Sequence, residues 1–209
     1  MATPALLGVD VGFSKSKKTA GLAWFANSAI ETALTGSSWS ERPRGVQFVI
    51  AALDAPIVPA DNYDASRGCE RAFYGVAFWN RCRPGLSHHG RGVPLKDAGR
   101  RAASDFASVH SPGALPFGPC VLPTTPIIEA FPNTFMGVLL SEASFAGWSK
   151  SLRKPKSDWL YEQVVEAGLF RKLLAKFDPT STLILRKFED AQHHDERAAL
   201  ICLLTAMFA

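Results

Sequence analysis

The hydrophobic pattern opens the chain with three short apolar runs that are separated by brief polar links. Each run is bounded by turn residues, as is typical of a strand buried on both faces. Links this short favour antiparallel pairing, because parallel strands need a long crossover connection. A fourth run, Val46 to Leu53, is stopped by Pro56 and Pro59. The three opening strands are predicted at Ala5 to Val11, Ala20 to Ala26 and Ile30 to Thr35.

The remainder of the chain predicts helices and one further strand. Apolar side chains recur at helical spacing from Leu95 to Val109. A fifth strand is predicted over Thr125 to Ala130, and Pro132 is expected in the first turn of a helix through Leu140. Other helices are predicted over Arg67 to Asn80, with Ser66 as cap, and over Asp158 to Ala167, with Ser157 as cap and Gly168 at its end. A further helix continues to Phe177, and the last helix runs from near Asp190 to the C-terminus. The segment Thr182 to Leu185 is predicted as strand or extended loop.

Hairpin strands followed by strand–helix–strand crossovers predict an α/β fold with a mixed sheet, in which the later strands run parallel to the first. The 209 residues fit a single domain, with a helical and loop insertion over about 60–123. In open sheets of this kind, the ligand site lies at the carboxyl ends of the parallel strands.

Four carboxylates occupy positions that matter in such a sheet. Asp10, Asp54 and Glu129 each follow an apolar run, and Asp195 opens the last apolar helix. Desolvating a carboxylate is costly unless it is paired or holds a metal. Several acids at neighbouring strand ends therefore predict a metal site or an acid–base site.

Each of these acids also has a purely structural interpretation. Asp10 would satisfy backbone donors in a turn, and Asp54 would cap the end of its strand. Glu129 would pair with one of the arginines. Asp195 would be a helix N-terminal charge, favoured there by the helix dipole. The sequence leaves both interpretations open for each residue.

The formal net charge is +4, and the basic residues are concentrated in two segments. Such clusters are either solvated faces or a surface that attracts a phosphate-bearing partner. The first cluster is Arg67, Arg71, Arg81, Arg83, Arg91, Lys96, Arg100 and Arg101, and the second is Lys150, Arg153, Lys154 and Lys156.

No stretch is long and apolar enough to predict a membrane span, and the N-terminus lacks the pattern of a signal peptide. The cysteines include no Cys-x-x-Cys pair, which indicates reduced thiols in a cytoplasmic protein. The chain ends within the apolar helical run 204–209, so continuation of the native protein stays open. The oligomeric state is not indicated. The four cysteines are Cys69, Cys82, Cys120 and Cys202.

Five segments, in their order and spacing, resemble the DUF429 family of predicted nucleases. The resemblance covers nearly the whole chain. It implies a ribonuclease H-like fold, namely a mixed five-stranded sheet with flanking helices. It also implies a divalent-metal-dependent nuclease or phosphodiesterase acting on a nucleic acid or nucleotide. The segments are Gly-Val-Asp-Val-Gly (8–12), Leu-Asp-Ala-Pro-Ile (53–57), Arg-Gly-Cys-Glu-Arg (67–71), Ile-Glu-Ala-Phe-Pro (128–132) and His-Asp-Glu-Arg-Ala-Ala-Leu-Ile-Cys (194–202).

The resemblance implies a metal-binding and catalytic role for each acid. Asp10 would bridge two Mg²⁺ or Mn²⁺ ions, Asp54 and Glu129 would complete the shell, and Asp195 would approach from the last helix. Carboxylate oxygens suit these ions better than zinc. Two ions about 4 Å apart activate water and stabilise the leaving oxygen of a phosphodiester. His194, beside Asp195, is a candidate proton relay.

Candidate substrate-binding residues come from two basic segments. Arg67, Glu70 and Arg71 share a helical face. They form either a surface ion-pair cluster or a lid that brings Arg67 and Arg71 to a substrate phosphate. Lys156 opens a Lys-Ser-Asp element that we associate with the family, and it is predicted at the edge of the site.

One position departs from the pattern of the resolvase-like branch of this superfamily, which carries two acids three residues apart on the last helix. Here Asp195 is followed by Ala198 at that spacing. Glu196 points about a hundred degrees away from Asp195 on a helix and does not replace the missing acid. A catalytically inactive ribonuclease H-like binding or scaffold domain is therefore the alternative prediction.

Overall fold

A computed structural model of the chain describes residues 3–13, 19–36, 46–57, 66–72, 86–110, 127–146, 148, 154–177 and 182–209. Some features predicted from the sequence lie outside these ranges. They are Arg81, Arg83, Lys150, Arg153, Cys82, Cys120, residues 73–80 of the helix predicted from Arg67, the loop 111–123 and the first two residues of the predicted fifth strand.

Five strands form one mixed sheet, and this confirms the predicted α/β architecture. The strands are β1 (Thr3–Asp10), β2 (Ala20–Ala26), β3 (Ala29–Thr35), β4 (Val46–Asp54) and β5 (Ile127–Glu129), in the spatial order β3-β2-β1-β4-β5. β1 to β3 pair antiparallel, as their short links predicted. β4 runs parallel to β1, and β5 runs parallel to β4. The carboxyl ends of β1, β4 and β5 therefore meet at the same edge of the sheet.

Helices cover both faces of this sheet. Within the described residues, no helix is long and apolar enough to cross a membrane. The helices are α1 (Gly68–Arg71), α2 (Gly92–His110), α3 (Pro132–Leu139), α4 (Glu142–Phe145), α5 (Lys156–Glu166), α6 (Leu169–Phe177), α7 (Thr182–Glu189) and α8 (His194–Met207).

Alternating side chains of the strands feed two separate cores, because successive residues of a strand point to opposite faces. On one face, Leu7, Val9 and Leu53 pack against Phe106 of α2. On the other face lies α8, which is buried on nearly all sides between the sheet and the outer helices. A helix that is apolar all round belongs in such an interior position. The α2 helix, within the predicted insertion, thus supplies the layer on its face of the sheet.

Two glycines allow α8 to lie directly on the sheet. A Cβ atom at Gly8 would collide with the α8 backbone at Ala199 and Leu203. A Cβ atom at Gly21 would collide with the carbonyl group of Asp195, in the first turn of the same helix. Close backbone approach is a standard reason for glycine within a strand. These contacts fix the distance between the helix and the ends of β1 and β2.

Several predicted helix boundaries are wrong. Arg67, not Ser66, precedes the described helix α1. Pro155 precedes α5, so Ser157 lies inside this helix rather than at its cap. The segment from Thr182 is helical, and the last helix begins at His194 rather than near Asp190. Gly168 does follow α5 as predicted, with a φ of 62°.

Candidate functional site

Asp10 and Asp54 are the last residues of two neighbouring parallel strands. They are paired directly in the register of β1 and β4. Paired residues of adjacent strands lie about 5 Å apart at the backbone and point to the same face. That face is the α8 side, because Gly8 contacts α8 and Ala52 packs with Cys202 of the same helix. The two carboxylates therefore form one acidic group.

The first turn of α8 brings a third carboxylate to this group. Asp195 follows His193 and His194 at the start of the helix, and its backbone abuts Gly21, the pairing partner of Asp10. The Asp195 side chain is only 15% exposed, and its Oδ2 atom lies 3.9 Å from Nδ1 of His193. The helix dipole favours a negative charge at this position. The structural and the functional interpretation of Asp195 are thus compatible.

Burial and mutual repulsion disfavour the ionised form of these acids. The pKa of Asp10 is raised well above its ordinary value by burial, then by Asp54 and Asp195, with His194 opposing the shift. Burial, followed by the charge of Glu129, raises the pKa of Asp54 from 3.8 to about 7. Both directions are those expected of clustered, desolvated carboxylates. A proton or a cation in this group would relieve the repulsion.

Cys202 lies beneath the two strand-end aspartates. It is fully buried, and its thiol has a pKa raised by burial and by the charges of Asp54 and Asp10. Cys69 and Cys202 are both free thiols in the part of the chain that the structure describes. The sequence held a signal for the placement of Cys202, because it follows Asp195 by seven residues, which is close to two helical turns.

Glu129 ends β5 but faces the opposite side of the sheet. It pairs in register with Leu53, whose side chain packs on the α2 side. Its Oε2 atom accepts a hydrogen bond from the backbone N–H of Ile57 at 3.0 Å. The same oxygen accepts a 2.6 Å hydrogen bond from Nη1 of Arg67. The alternative prediction that Glu129 pairs with an arginine is therefore confirmed.

Arg67 is buried between two carboxylates rather than exposed on a surface. Its side chain is 2% exposed, and its Nε atom donates to Oε1 of Glu70 at 2.8 Å. Glu70 also accepts hydrogen bonds from the backbone N–H groups of Arg67 at 3.1 Å and of Ser87 at 3.0 Å. Arg71, in contrast, is exposed, and its guanidinium donates to the carbonyl oxygen of Ser66. Of these two candidate phosphate-binding arginines, only Arg71 presents its side chain to solvent.

The ion pairs set the charge states in this cluster. Burial alone would lower the pKa of Arg67, but the nearby Glu129 and Glu70 raise it above its ordinary value. Burial would likewise raise the pKa of Glu70, and the hydrogen bonds from Arg67 and Ser87 lower it instead. Both groups therefore stay charged, as a buried ion pair requires.

The Lys-Ser-Asp element lies beside the start of α8. Asp158 Oδ1 lies 3.0 Å from Nδ1 of His194 and 3.5 Å from Nη1 of Arg197. The hydroxyl group of Ser157 is 3.5 Å from the same histidine nitrogen. Lys156 opens α5, with its ammonium group 5.3 Å from the ring centre of Phe145. This edge of the acidic group thus carries basic and hydroxyl side chains.

Arg197 was not singled out by the sequence pattern. Its Nε atom donates to the carbonyl oxygen of Ala191 at 3.0 Å, and its guanidinium lies 5.2 Å from the ring centre of Tyr161. Only the packing of α5 against α8 reveals its position next to Asp158. It falls within the segment 194–202 that carries the resemblance, but that segment gave no indication of the partners of Arg197.

The next acid on α8 serves a different contact. Glu196 Oε1 accepts a 2.7 Å hydrogen bond from the hydroxyl group of Thr32 on β3. It therefore points away from Asp195, as the helical spacing predicted. Ala198 offers no donor atom in its side chain, so α8 contributes Asp195 to the acidic group without a second acid three residues later.

Within the described ranges, no three His, Cys, Asp or Glu side chains are arranged closely enough to hold a metal ion as they stand. No protein-family model, curated protein or solved structure matches this chain. The resemblance to the DUF429 family therefore stays a prediction, as do the metal, the nucleic-acid partner and the cytoplasmic location.

Proposed function

We propose that this protein is a ribonuclease H-like, divalent-cation-dependent phosphodiester hydrolase that acts on a nucleic acid or nucleotide. The observation that carries the proposal is the acidic group at the carboxyl ends of β1 and β4. There, Asp10 and Asp54 lie side by side, and Asp195 approaches from α8. Three antiparallel strands followed by two parallel ones also agree with the fold that the resemblance implies.

The chemistry of the donors fits Mg²⁺ or Mn²⁺. Carboxylate oxygens are the hard ligands that both ions prefer. Burial raises the pKa values of Asp10 and Asp54, and neighbouring negative charges, which a cation would neutralise, raise them further. When bound, such ions activate water and stabilise the leaving oxygen of a phosphodiester. Asp10, paired with Asp54 and close to Asp195, is the residue best situated to share a cation with both.

Basic side chains beside this group would orient an anionic substrate. Lys156 opens α5 two residues before Asp158, which contacts His194 at the start of α8. Arg71 is exposed four residues after Arg67, which pairs with Glu129 at the end of β5. Positive charges beside an acidic centre attract a phosphate-bearing substrate, since phosphate oxygens accept charge-assisted hydrogen bonds from Lys and Arg.

The direct test is cleavage of labelled single-stranded, duplex and branched DNA and RNA with Mn²⁺. Asp10→Asn should lose cleavage, because it removes the carboxylate common to the cation contacts. The same variant should lose the Mn²⁺-dependent stabilisation of the fold, which for the wild type reaches about 2.7 kcal/mol at a hundredfold excess over the dissociation constant. Equal cleavage by wild type and Asp10→Asn would mark a contaminant and refute the assignment.

A second candidate function is a ribonuclease H-like binding or scaffold domain without turnover. Two observations favour it: Ala198 replaces the second acid on α8, and the described acids are not preassembled around a cation position. Mn²⁺ binding that depends on Asp10, without cleavage of any of these substrates, would support this candidate over the hydrolase.

A further inference from the structure

Glu129 differs from the other strand-end acids in the side of the sheet that it faces. Asp10 and Asp54 point toward α8, whereas Glu129 shares the side of Leu53 and of Ile57, which pack toward α2. Since β5 is parallel to β4, equivalent residues in the register face the same way. The Glu129 carboxylate therefore leaves the strand ends on the opposite side from the acidic group.

The contacts of Glu129 tie three separate segments together. Arg67 Nη1 lies 2.6 Å from its carboxylate, and the N–H group of Ile57 donates to the same side chain at 3.0 Å. Through Arg67 the network continues to Glu70, and from Glu70 to the backbone of Ser87. The Arg67 guanidinium also lies 5.6 Å from the ring centre of Phe131, two residues after Glu129. We refer to Arg67, Glu70 and Glu129 as the clamp.

The clamp is almost entirely buried. Arg67 and Glu70 are 2% and 1% exposed, and the Glu129 side chain is 8% exposed. A buried charge is tolerated when its partners and hydrogen bonds are complete, and removing one partner leaves the other uncompensated. Moving Arg67 to a substrate phosphate would leave Glu70 and Glu129 as uncompensated buried charges.

We propose that Glu129 acts as a positioning residue held by Arg67, and that the cation ligands are Asp10, Asp54 and Asp195. The Glu129 carboxylate accepts a hydrogen bond from the N–H of Ile57, three residues after Asp54. The backbone N–H groups of Ala55 and Ala130 both donate to the carbonyl oxygen of Leu53, which holds the start of this turn in place. The clamp thereby orients the carboxylate of Asp54 at the end of its strand. This inference rests on the proposed cation-dependent function.

The test compares two substitutions at Glu129 with the matched pair at Asp54 by titration with Mn²⁺. Glu129→Ala should weaken Mn²⁺ binding about tenfold, the lower end of the range for lost outer contacts, and Glu129→Gln should restore it to within about threefold. The amide oxygen of Gln still accepts the Ile57 N–H bond, although it carries no charge. Asp54→Ala and Asp54→Asn should both lose binding.

Loss of binding in Glu129→Gln equal to that in Glu129→Ala would overturn the inference, because a direct ligand needs the charge. Unchanged binding in Glu129→Ala would overturn it as well, because the clamp would then have no effect on Asp54. Binding by the wild type separates the two proposals: if the wild type binds no Mn²⁺, the proposed function fails.

In that case a double-mutant cycle, measured by urea unfolding, still tests whether Arg67 and Glu129 of the clamp are energetically coupled. Arg67→Met and Glu129→Gln should each lower the unfolding midpoint, and the double variant should lose much less than the sum, because both remove the same ion pair. The same comparison applies when Mn²⁺ does bind. Losses of stability that add up in the double variant would show that Arg67 and Glu129 are not coupled, and would overturn the inference.

Discussion

The ionisation of Asp54 is coupled to folding, and its raised pKa sets the direction in which stability changes with pH. Burial and the charge of Glu129 raise its pKa from 3.8 to about 7, so the folded state binds its proton more tightly than the unfolded state does. Its contribution to stability is complete below the unfolded value and is lost as the pH rises through the folded value. Asp10 acts in the same direction, since its pKa is also raised.

Asp54→Asn should therefore flatten the pH dependence of stability between 3.8 and about 7 in the absence of divalent cations. Asn keeps a similar shape but never ionises, so the stability of the variant should rise relative to that of the wild type as the pH rises to neutral. Urea unfolding across this window measures the effect. Asp190→Asn, at an exposed position after α7, is the matched control. A wild type that is equally stable at both ends of the window would contradict the coupling.

The packing of α8 against the sheet sets the geometry of the site. Gly21 lies against the Asp195 carbonyl group, and Gly8 lies against the backbone of Ala199 and Leu203, one to two turns further along α8. The distance between the helix and β1 decides how close Asp195 comes to Asp10. A change in helix packing would therefore alter both the stability and the acidic group.

Gly21→Ala should destabilise the fold by about 1–3 kcal/mol, the usual cost of forcing extra volume into a packed interior. It should also weaken Mn²⁺ binding, because the first turn of α8 must move to admit the methyl group. Gly68→Ala is the control, since its Cβ atom would meet only the tip of Arg71 at 3.9 Å. Chemical denaturation and Mn²⁺ titration of both variants provide the measurement, and equal behaviour would argue against close packing at Gly21.

Opposite charges are separated around one edge of the sheet. The acids converge at the ends of β1 and β4, and exposed basic residues such as Arg71 and Arg91 occupy the neighbouring segments. The net charge of +4 agrees with attraction of an anionic partner. Salt dependence of binding distinguishes specific phosphate contacts from this general attraction.

Arg71→Ala and Lys156→Ala should each weaken nucleic-acid binding and lower the slope of log affinity against log salt by roughly 0.7–0.9, the value for one lost phosphate contact. Lys172→Ala, on the exposed surface of α6, should leave the slope unchanged. Fluorescence titrations at several salt concentrations measure the slopes. Identical slopes for all three variants and the wild type would contradict the predicted phosphate contacts.

The positions of the strands followed from the sequence because their signals are local. Runs such as Val46 to Leu53 are apolar on both faces and end at turn residues, so their type and limits were visible without the fold. Asp10 and Asp54 follow such runs, which predicted their position at strand ends. The helix at Thr182–Glu189 was missed although Ile184, Leu185 and Phe188 recur at helical spacing. A stripe this short indicates a helix only once it packs on the core.

The order of the strands along the chain, their direction and the acids at their ends were predictable from sequence patterns, because periodicity and chain breaks act over a few residues. The partners of those acids, in contrast, depend on the folded chain. Arg67 reaches Glu129 across 62 residues, and Glu129 faces the opposite side of the sheet from Asp54. Such pairings depend on strand register and on burial, which no local pattern encodes, since a shift by one residue moves a side chain to the other face.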